Sequence, residues 1–227
     1  VSYNYDSKYL VTANFRADGS SKLAPGHRWG YFPSFSAAWR ISGEKFLRDV
    51  SWINDLKLRA GWGQTGNQAG LAEYGWMQQY STNYYDWTLT ENAQAVPTVG
   101  GRSNIKNEDL TWETSSTINL GLDVNLLNNR LSFVGDIYQK ETTDMFVTGA
   151  ELPAVTGYSA PYGNNADMRT RGFEVSLGWT DSFRVANKPF NYSVRLSLWD
   201  SKSIITKYTS KSNTLPTLYA NAYYEGM

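Results

Sequence analysis

The chain has 227 residues and a net charge of zero, with 21 Lys and Arg against 21 Asp and Glu. This balance gives no support to nucleic-acid binding, because proteins that bind nucleic acids usually carry a basic excess on one face. The sequence has no cysteine and one histidine, His27, which excludes disulfides, thiolate chemistry and multi-histidine metal sites within this chain. We therefore predict no metal site and no cofactor.

Aromatic residues are abundant, at 15% of the sequence, with 16 Tyr and 9 Trp. Both side chains combine an apolar body with a polar tip, so they favour interfaces between proteins or between membrane and water. No run of residues approaches the ~18 apolar positions of a membrane helix. The start of the chain is polar and does not resemble a signal peptide, so we expect a fragment of a longer protein.

The main signal along the chain is alternation of apolar and polar residues with a period of two, which is typical of β-strands. It predicts about seven strands, joined as an antiparallel meander, and a helical turn at residues 44–50. In chain order the predicted strands are residues 9–16, 29–42, 56–62, 117–127, 131–138, 173–179 and 192–198.

The predicted strands have one face without charge and one face with charge. The charged positions are Arg16, Arg40, Lys57, Arg59, Asp123, Asp136, Glu174 and Arg195. A wall that faces lipid must exclude charge, because Lys or Arg at the middle of a membrane costs roughly 2–4 kcal/mol. The core of a soluble β-sandwich excludes charge as well, so the alternation leaves both architectures open.

The connections between the strands separate these architectures better. Long polar segments at 18–28, 66–109 and 146–167 alternate with shorter ones at 43–54, 128–129 and 181–189. Long loops at one end and short turns at the other are typical of outer-membrane barrels. The predicted fold class is therefore all-β, an antiparallel meander that forms part of a large transmembrane β-barrel.

A series of different short motifs is spread along almost the whole chain, from about residue 9 to residue 208. It comprises FRADGSS at 15–21, RWGYFPS at 28–34, WRIS at 39–42, LKLRAGWGQTGNQ at 56–68, NEDLTWE at 107–113, NNRL at 128–131 and MRTRGFE at 168–174. Each motif alone is weakly specific. In this order they resemble the TonB-linked outer-membrane transporters of the SusC/RagA type, which are TonB-dependent receptors.

This resemblance implies a 22-stranded barrel in the bacterial outer membrane with an N-terminal plug, which is the size class with an obstructed lumen. It implies import of glycans or peptides, a TonB complex that supplies energy through the N-terminal region, and a SusD-type surface lipoprotein that lids the barrel. Residues 1–227 would then be part of the barrel domain, and the plug and the remaining strands would lie outside this sequence.

The sequence suggests two groups of functional residues, each with a plainer alternative. Four aromatic residues of the long segment are candidates for substrate or lid contact: Tyr74, Trp76, Tyr84 and Trp87. They could instead pack the loop against itself or form an aromatic belt. Five charged residues are predicted to face the lumen, where they could equally pair with one another: Arg40, Arg59, Asp123, Glu174 and Arg195. The cluster at 163–167 could bind calcium, although a turn is the better interpretation.

Two other functions stay open at this point, and a third is disfavoured. A soluble all-β carbohydrate-binding module would use loop tryptophans as a sugar platform, and a passive porin would share the physics of the wall. A glycan-cleaving enzyme needs two carboxylates at a fixed separation, and no such pair can be nominated, so we predict that the chain is not an enzyme. A compact interior with the apolar faces folded together would contradict the membrane prediction.

Overall fold

The computed structural model describes residues 1–78, 80–85, 96–102, 105–149, 153, 155, 161–208, 214–215, 223–224 and 226. Twelve strands lie in these ranges: β1 (Ser2–Tyr5), β2 (Tyr9–Gly19), β3 (Trp29–Arg40), β4 (Ile53–Asn67), β5 (Tyr80–Tyr85), β6 (Val96–Arg102), β7 (Glu113–Leu126), β8 (Leu131–Thr148), β9 (Tyr162–Val185), β10 (Lys188–Tyr208), β11 (Thr214–Leu215) and β12 (Tyr223–Tyr224). None of the helical segments in the described ranges is long and apolar enough to cross a membrane.

Eight of these strands form one antiparallel sheet in the order β1-β2-β3-β4-β7-β8-β9-β10. The order follows the chain, and two separate hairpins, β5-β6 and β11-β12, lie outside it. The predicted meander is therefore confirmed. The sheet contains the seven predicted strands and one more, β1, which the alternation did not reveal.

The connections of the sheet differ in length at its two ends. Tight turns join β1 to β2, β7 to β8 and β9 to β10, and residues with positive φ such as Asn128, Asn129 and Asn187 form them. At the same end, two short 3-10 turns (Ile41–Gly43 and Lys45–Leu47) join β3 to β4. We call this the turn end. The opposite end, which we call the loop end, carries the longer connections 20–28, 68–112 and 149–161.

The register places the alternating apolar residues of the seven predicted strands on one side of the sheet, which we call the apolar face. Leu120, for example, lies opposite Ala60 on β4 and Ile137 on β8. The side chain of Ile137 is 58% exposed and that of Leu196 is 66% exposed, since no second layer covers this face in the described ranges. The apolar faces are therefore not folded into a dry interior, which contradicts the soluble sandwich.

Pro33 lies inside β3, where a missing N–H would normally break a ladder of hydrogen bonds. The Arg40 N–H donates to the Lys8 carbonyl at 2.7 Å, so the even-numbered residues of β3 bond towards β2. The nitrogen of Pro33 therefore points towards β4, whose pairing with β3 ends at Ser34. Because the pairing between β3 and β4 ends one residue short of Pro33, the proline costs no ladder bond.

The buried core of the described chain is small and lies at the loop end. Leu23, Phe32, Leu71, Leu110 and Trp112 form it, and Trp76 and Phe146 pack against it. Its members come from β3, from β8 and from the connections that flank β2, β4 and β7. The core therefore fastens the long connections to the sheet.

Candidate functional site

The polar face, opposite the apolar face, carries a ladder of charged side chains across β4, β7 and β8. The Arg59 guanidinium donates to Asp123, with Nη2 2.8 Å from Oδ1, and to Asp136, with Nη2 3.0 Å from Oδ2. Lys57 Nζ lies 2.7 Å from the other oxygen of Asp123. Asn119 donates to Asp136 at 3.2 Å. Two cations and two anions thus balance within one network.

Gly121 is the residue that allows this ladder to cross β7. It lies opposite Arg59 on one side and Asp136 on the other. A Cβ atom built on Gly121 would come within 2.4 Å of Asp136 Oδ1 and 2.7 Å of Arg59 Nη2. The guanidinium therefore occupies the space that a side chain would fill. The motif around Arg59 drew attention to the arginine, but the role of the glycine follows only from the register.

The five charged residues predicted to face the lumen all lie on the polar face. Arg40 Nε donates to Asp55 at 2.7 Å, near the turn end. Glu174 lies opposite Asp136 and Trp199, and Arg195 lies opposite Gly178. Within the described ranges neither Glu174 nor Arg195 takes part in an ion pair. The structure thus brings Arg59 and Asp123 into contact with each other, whereas Glu174 and Arg195 stay separate from this network.

A shallow groove of about 580 Å³ runs along the polar face over β2, β3, β4 and β7. Small polar residues such as Asn14, Ser34, Ser36 and Thr117 line it, together with the ion pair between Arg16 and Asp18. Nothing in the sequence singles out these uncharged residues. These residues alternate in sequence with apolar ones, and this pattern assigns them to the polar face. It gives no reason to choose one of them over another as a functional residue.

The candidate aromatic residues of the long connection fall in different settings. Trp76 is partly buried against the loop-end core, and its buried Nε1 has no hydrogen-bond partner in the described ranges. Tyr74 is exposed and has a left-handed backbone with φ 55°. The backbone of Tyr84 lies in β5. Trp87 lies outside the described residues. The burial of Trp76 favours packing of the loop as the role of that residue.

The cluster at 163–167 fastens backbone segments to one another. The Asn164 side chain bonds both the N–H and the carbonyl of Thr111, at 2.9 and 3.1 Å, and the carbonyl of Asp144 at 2.6 Å. Asp167 accepts the N–H of Asp144 at 2.9 Å. No group of three or more His, Cys, Asp or Glu in the described part of the chain has metal-binding geometry. The predicted turn is wrong, because residues 163–167 lie within β9, and these bonds give the cluster a structural role.

Asp144, beside this cluster, is the one described carboxyl group of the loop end with a raised pKa. Burial raises the pKa of Asp144 above its ordinary value, and the nearby Asp167 carboxylate raises it further. Lys207 acts in the opposite direction with a smaller effect. The residue has φ 57°, a conformation that Asp and Asn tolerate better than other side chains.

Comparison with known proteins places this sheet in a family. The sequence model of the family described as TonB dependent receptor-like, beta-barrel matches residues 1–226. The chain belongs to the TonB-dependent receptor β-barrel family. Proteins of this family, including SusC, are β-barrels of the bacterial outer membrane, so the predicted membrane and family are confirmed.

Individual TonB-dependent receptors are similar to the chain over nearly all of its length. TonB-dependent receptor P39 of Formosa agariphila is 34% identical over 216 residues, which cover 91% of this chain and 20% of that protein. TonB-dependent receptor SusC of Bacteroides thetaiotaomicron is 32% identical over 212 residues, covering 92% and 20%. The chain thus spans about a fifth of the length of these relatives.

A solved structure shows the same arrangement of strands. The structure of the RagAB peptide importer in its closed-closed state matches with a TM-score of 0.82 and 27% identity, and the match covers 99% of this chain and 24% of that chain. The RagAB peptide transporter matches with a TM-score of 0.80. The eight-stranded sheet is therefore part of a TonB-dependent receptor barrel.

Two rows of aromatic side chains mark the borders of the apolar face in this barrel. Trp29 and Trp39 lie on the apolar face of β3, ten positions apart, which is the length of a strand that crosses a membrane at a tilt. Tyr9 stacks on Trp39 at 6.5 Å, near the turn end. Phe15 stacks on Tyr31 at 6.0 Å, near the loop end. Aromatic girdles at both membrane surfaces are typical of outer-membrane barrels.

Glu44 forms hydrogen bonds with the aromatic row near the turn end. Tyr9 Oη donates to Glu44 Oε1 at 2.6 Å, and Trp39 Nε1 donates to the same oxygen at 3.2 Å. These hydrogen bonds hold the pKa of Glu44 below its ordinary value. The aromatic tips therefore point to the polar connection between β3 and β4 and not into the hydrocarbon.

Proposed function

We propose that this chain forms part of the wall and extracellular loops of an outer-membrane active transporter that imports glycans or peptides with energy supplied through TonB. The observation that supports this most is the sidedness of the sheet. One face is apolar between two aromatic rows, and the other carries balanced charges and a polar groove. Such a wall separates lipid from a water-filled interior.

The polar face would line the lumen, with Arg40, Arg59, Asp123, Glu174 and Arg195 on it. Arg59 and Asp123 already form hydrogen bonds with each other, so their role is to stabilise the barrel wall. Glu174 and Arg195 are exposed and form no ion pair within the described ranges. They are therefore the better candidates for contact with a passing solute or with a plug.

The loop end would face the cell exterior and meet a SusD-type surface lipoprotein or the substrate. The side chain of Tyr74 is 55% exposed there, which suits an interface contact, since Tyr is frequent at the energetic centres of interfaces. Tyr84 and Trp87 belong to the same connection and are proposed for the same contact. The TonB complex would act through the N-terminal region of the full-length receptor.

Uptake measurements test this function and its substrate class. Cells that carry the full-length receptor gene, and cells that lack it, are given labelled oligosaccharides and labelled peptides, with and without a functional TonB complex. We expect receptor-dependent uptake of one class, lost without TonB. Uptake that persists without TonB would favour a passive porin, and a receptor that moves neither class would contradict the proposal.

A further inference from the structure

A cluster of four charged side chains and one amide lies on the apolar face, just beyond the hydrocarbon-facing residues towards the loop end. We call it the outward cluster, and its members are Gln139, Glu141, Arg169, Arg171 and Lys202. Arg171 precedes the apolar Phe173 by two positions on β9, so both side chains lie on the same face. Because this face points away from the barrel interior, the cluster does not belong to the transport path.

Hydrogen bonds hold the two arginines of the outward cluster in fixed positions. Arg171 Nε donates to Gln139 Oε1 at 2.6 Å, and Arg169 Nε donates to Glu141 Oε1 at 2.8 Å. Gln139 Nε2 donates to the same oxygen of Glu141 at 3.1 Å and joins the two halves. A guanidinium has five N–H donors, so four remain on each arginine beyond these bonds.

The outward cluster contains more positive charge than its own acids neutralise. Arg171 and Lys202 are direct cross-strand partners and both are exposed, an arrangement in which like charges repel. Glu141 is already engaged by Arg169. Asp200 lies on the same face two positions from Lys202, opposite Phe173, and it accepts the Ser201 N–H at 2.8 Å. An anion placed between Arg171 and Lys202 would replace this repulsion with attraction.

The surroundings of the outward cluster identify the kind of anion. Next to it towards the turn end lie the exposed apolar residues Ile137, Phe173 and Leu198, with Asp200 beside Phe173. A ligand that satisfies both regions has a phosphate group at its head and hydrocarbon chains beneath. Arginine forms bidentate bonds with phosphate, and lysine adds a point charge.

We propose that Arg171 and Lys202, assisted by Arg169, bind the phosphate group of a phosphorylated lipid in the outer leaflet of the outer membrane. The acyl chains of that lipid would lie against Phe173, Ile137 and Leu198. The lipid would hold β8, β9 and β10 together from outside, at the level where their polar extensions leave the membrane. This site is separate from the transport function, so loss of lipid binding and loss of uptake are independent results.

Native mass spectrometry of the full-length, delipidated receptor in detergent tests the site. The probes are phosphate-bearing lipid A, the same lipid without phosphate, and inorganic phosphate. The test variant is Arg171→Gln with Lys202→Gln. The control is Lys140→Gln, which removes an exposed cation from the other face of β8. Gel electrophoresis checks that each variant has a folded barrel: the unheated sample migrates faster than the heated, unfolded sample.

We expect phosphate-bearing lipid A to bind the unaltered receptor at least about tenfold more tightly than its phosphate-free form, and the double variant to lose that preference. The control should keep it within about twofold. Equal binding of both lipids would overturn the proposal, as would an unchanged preference in the double variant. Inorganic phosphate that binds as tightly as the lipid would overturn the lipid as the occupant.

Discussion

Arg59 reaches across β7 to Asp136 on β8, with Nη2 of the arginine 3.0 Å from Oδ2 of the aspartate. The two residues belong to strands that do not pair with each other, because β7 lies between them. Gly121 on β7 leaves the space that the guanidinium crosses. The polar face of three strands is thereby tied together by one side chain.

Replacement of Gly121 by alanine should weaken the hydrogen bond between Arg59 and Asp136. The new Cβ would displace the guanidinium from Asp136, and a hydrogen bond between charged groups contributes about 1.5–3 kcal/mol, less at a partly exposed site. We expect the free energy of unfolding in lipid vesicles to fall by about 1–2 kcal/mol. Gly61→Ala is the matched control, since its Cβ would meet nothing closer than 3.8 Å. Equal effects of the two changes would contradict this role for Gly121.

The loop-end core should protect the connection 20–28, which we propose to be extracellular, from proteolysis. Leu23 is fully buried within it, and a buried Leu→Ala change costs about 2–5 kcal/mol. Leu23→Ala should therefore speed trypsin cleavage after Lys22 and Arg28 in the connection 20–28, in intact cells. Leu127→Ala, at an exposed position of the turn end, is the control. A cleavage rate no faster than that of the control would show that the core does not protect this loop.

The raised pKa of Asp144 makes the stability of the loop end depend on pH. Its folded-state pKa lies above the value near 3.8 of an ordinary aspartate, so its contribution to stability is most favourable below that value. The contribution falls as pH rises through the raised pKa. Asp144→Asn removes the charge and keeps a side chain that tolerates the left-handed backbone.

We expect Asp144→Asn to raise the melting temperature at pH 7 and to change it little at about pH 3.5. Melting is followed by loss of the β-sheet signal in circular dichroism. Asp49→Asn, in an exposed position at the turn end, is the control for removal of a carboxylate. A stabilisation of Asp144→Asn that is equal at both pH values would show that ionisation is not its cause.

The alternation predicted the strands well where each of them crosses the membrane and poorly beyond it. It placed the last two strands at 173–179 and 192–198, whereas β9 and β10 run from Tyr162 to Val185 and from Lys188 to Tyr208. The extensions carry polar residues such as Arg171 and Lys202 on the same face as Phe173. Outside the hydrocarbon nothing requires that face to be apolar, so the pattern that reveals a strand disappears.

The candidate site was less predictable than the fold, because its contacts join distant positions. The charges of Arg59 and Asp123 predict that both lie on the polar face, but their pairing depends on a register that no local pattern specifies. Gly121 resembles any strand glycine until its neighbours are known. The sequence makes Trp76 a candidate contact residue, with packing of the loop as the alternative, and its burial depends on a core formed by four separate segments.

The central claim, that one face of the sheet contacts lipid and the other contacts water, is tested most directly by a pair of arginine substitutions. Leu120 on the apolar face and Val134 on the polar face have similar exposed fractions, 44% and 39%, so exposure alone predicts similar effects. We expect Leu120→Arg to lower the free energy of unfolding in lipid vesicles by about 2–4 kcal/mol and Val134→Arg to change it by less than about 1 kcal/mol. Equal losses, or a larger loss at Val134, would contradict the claim.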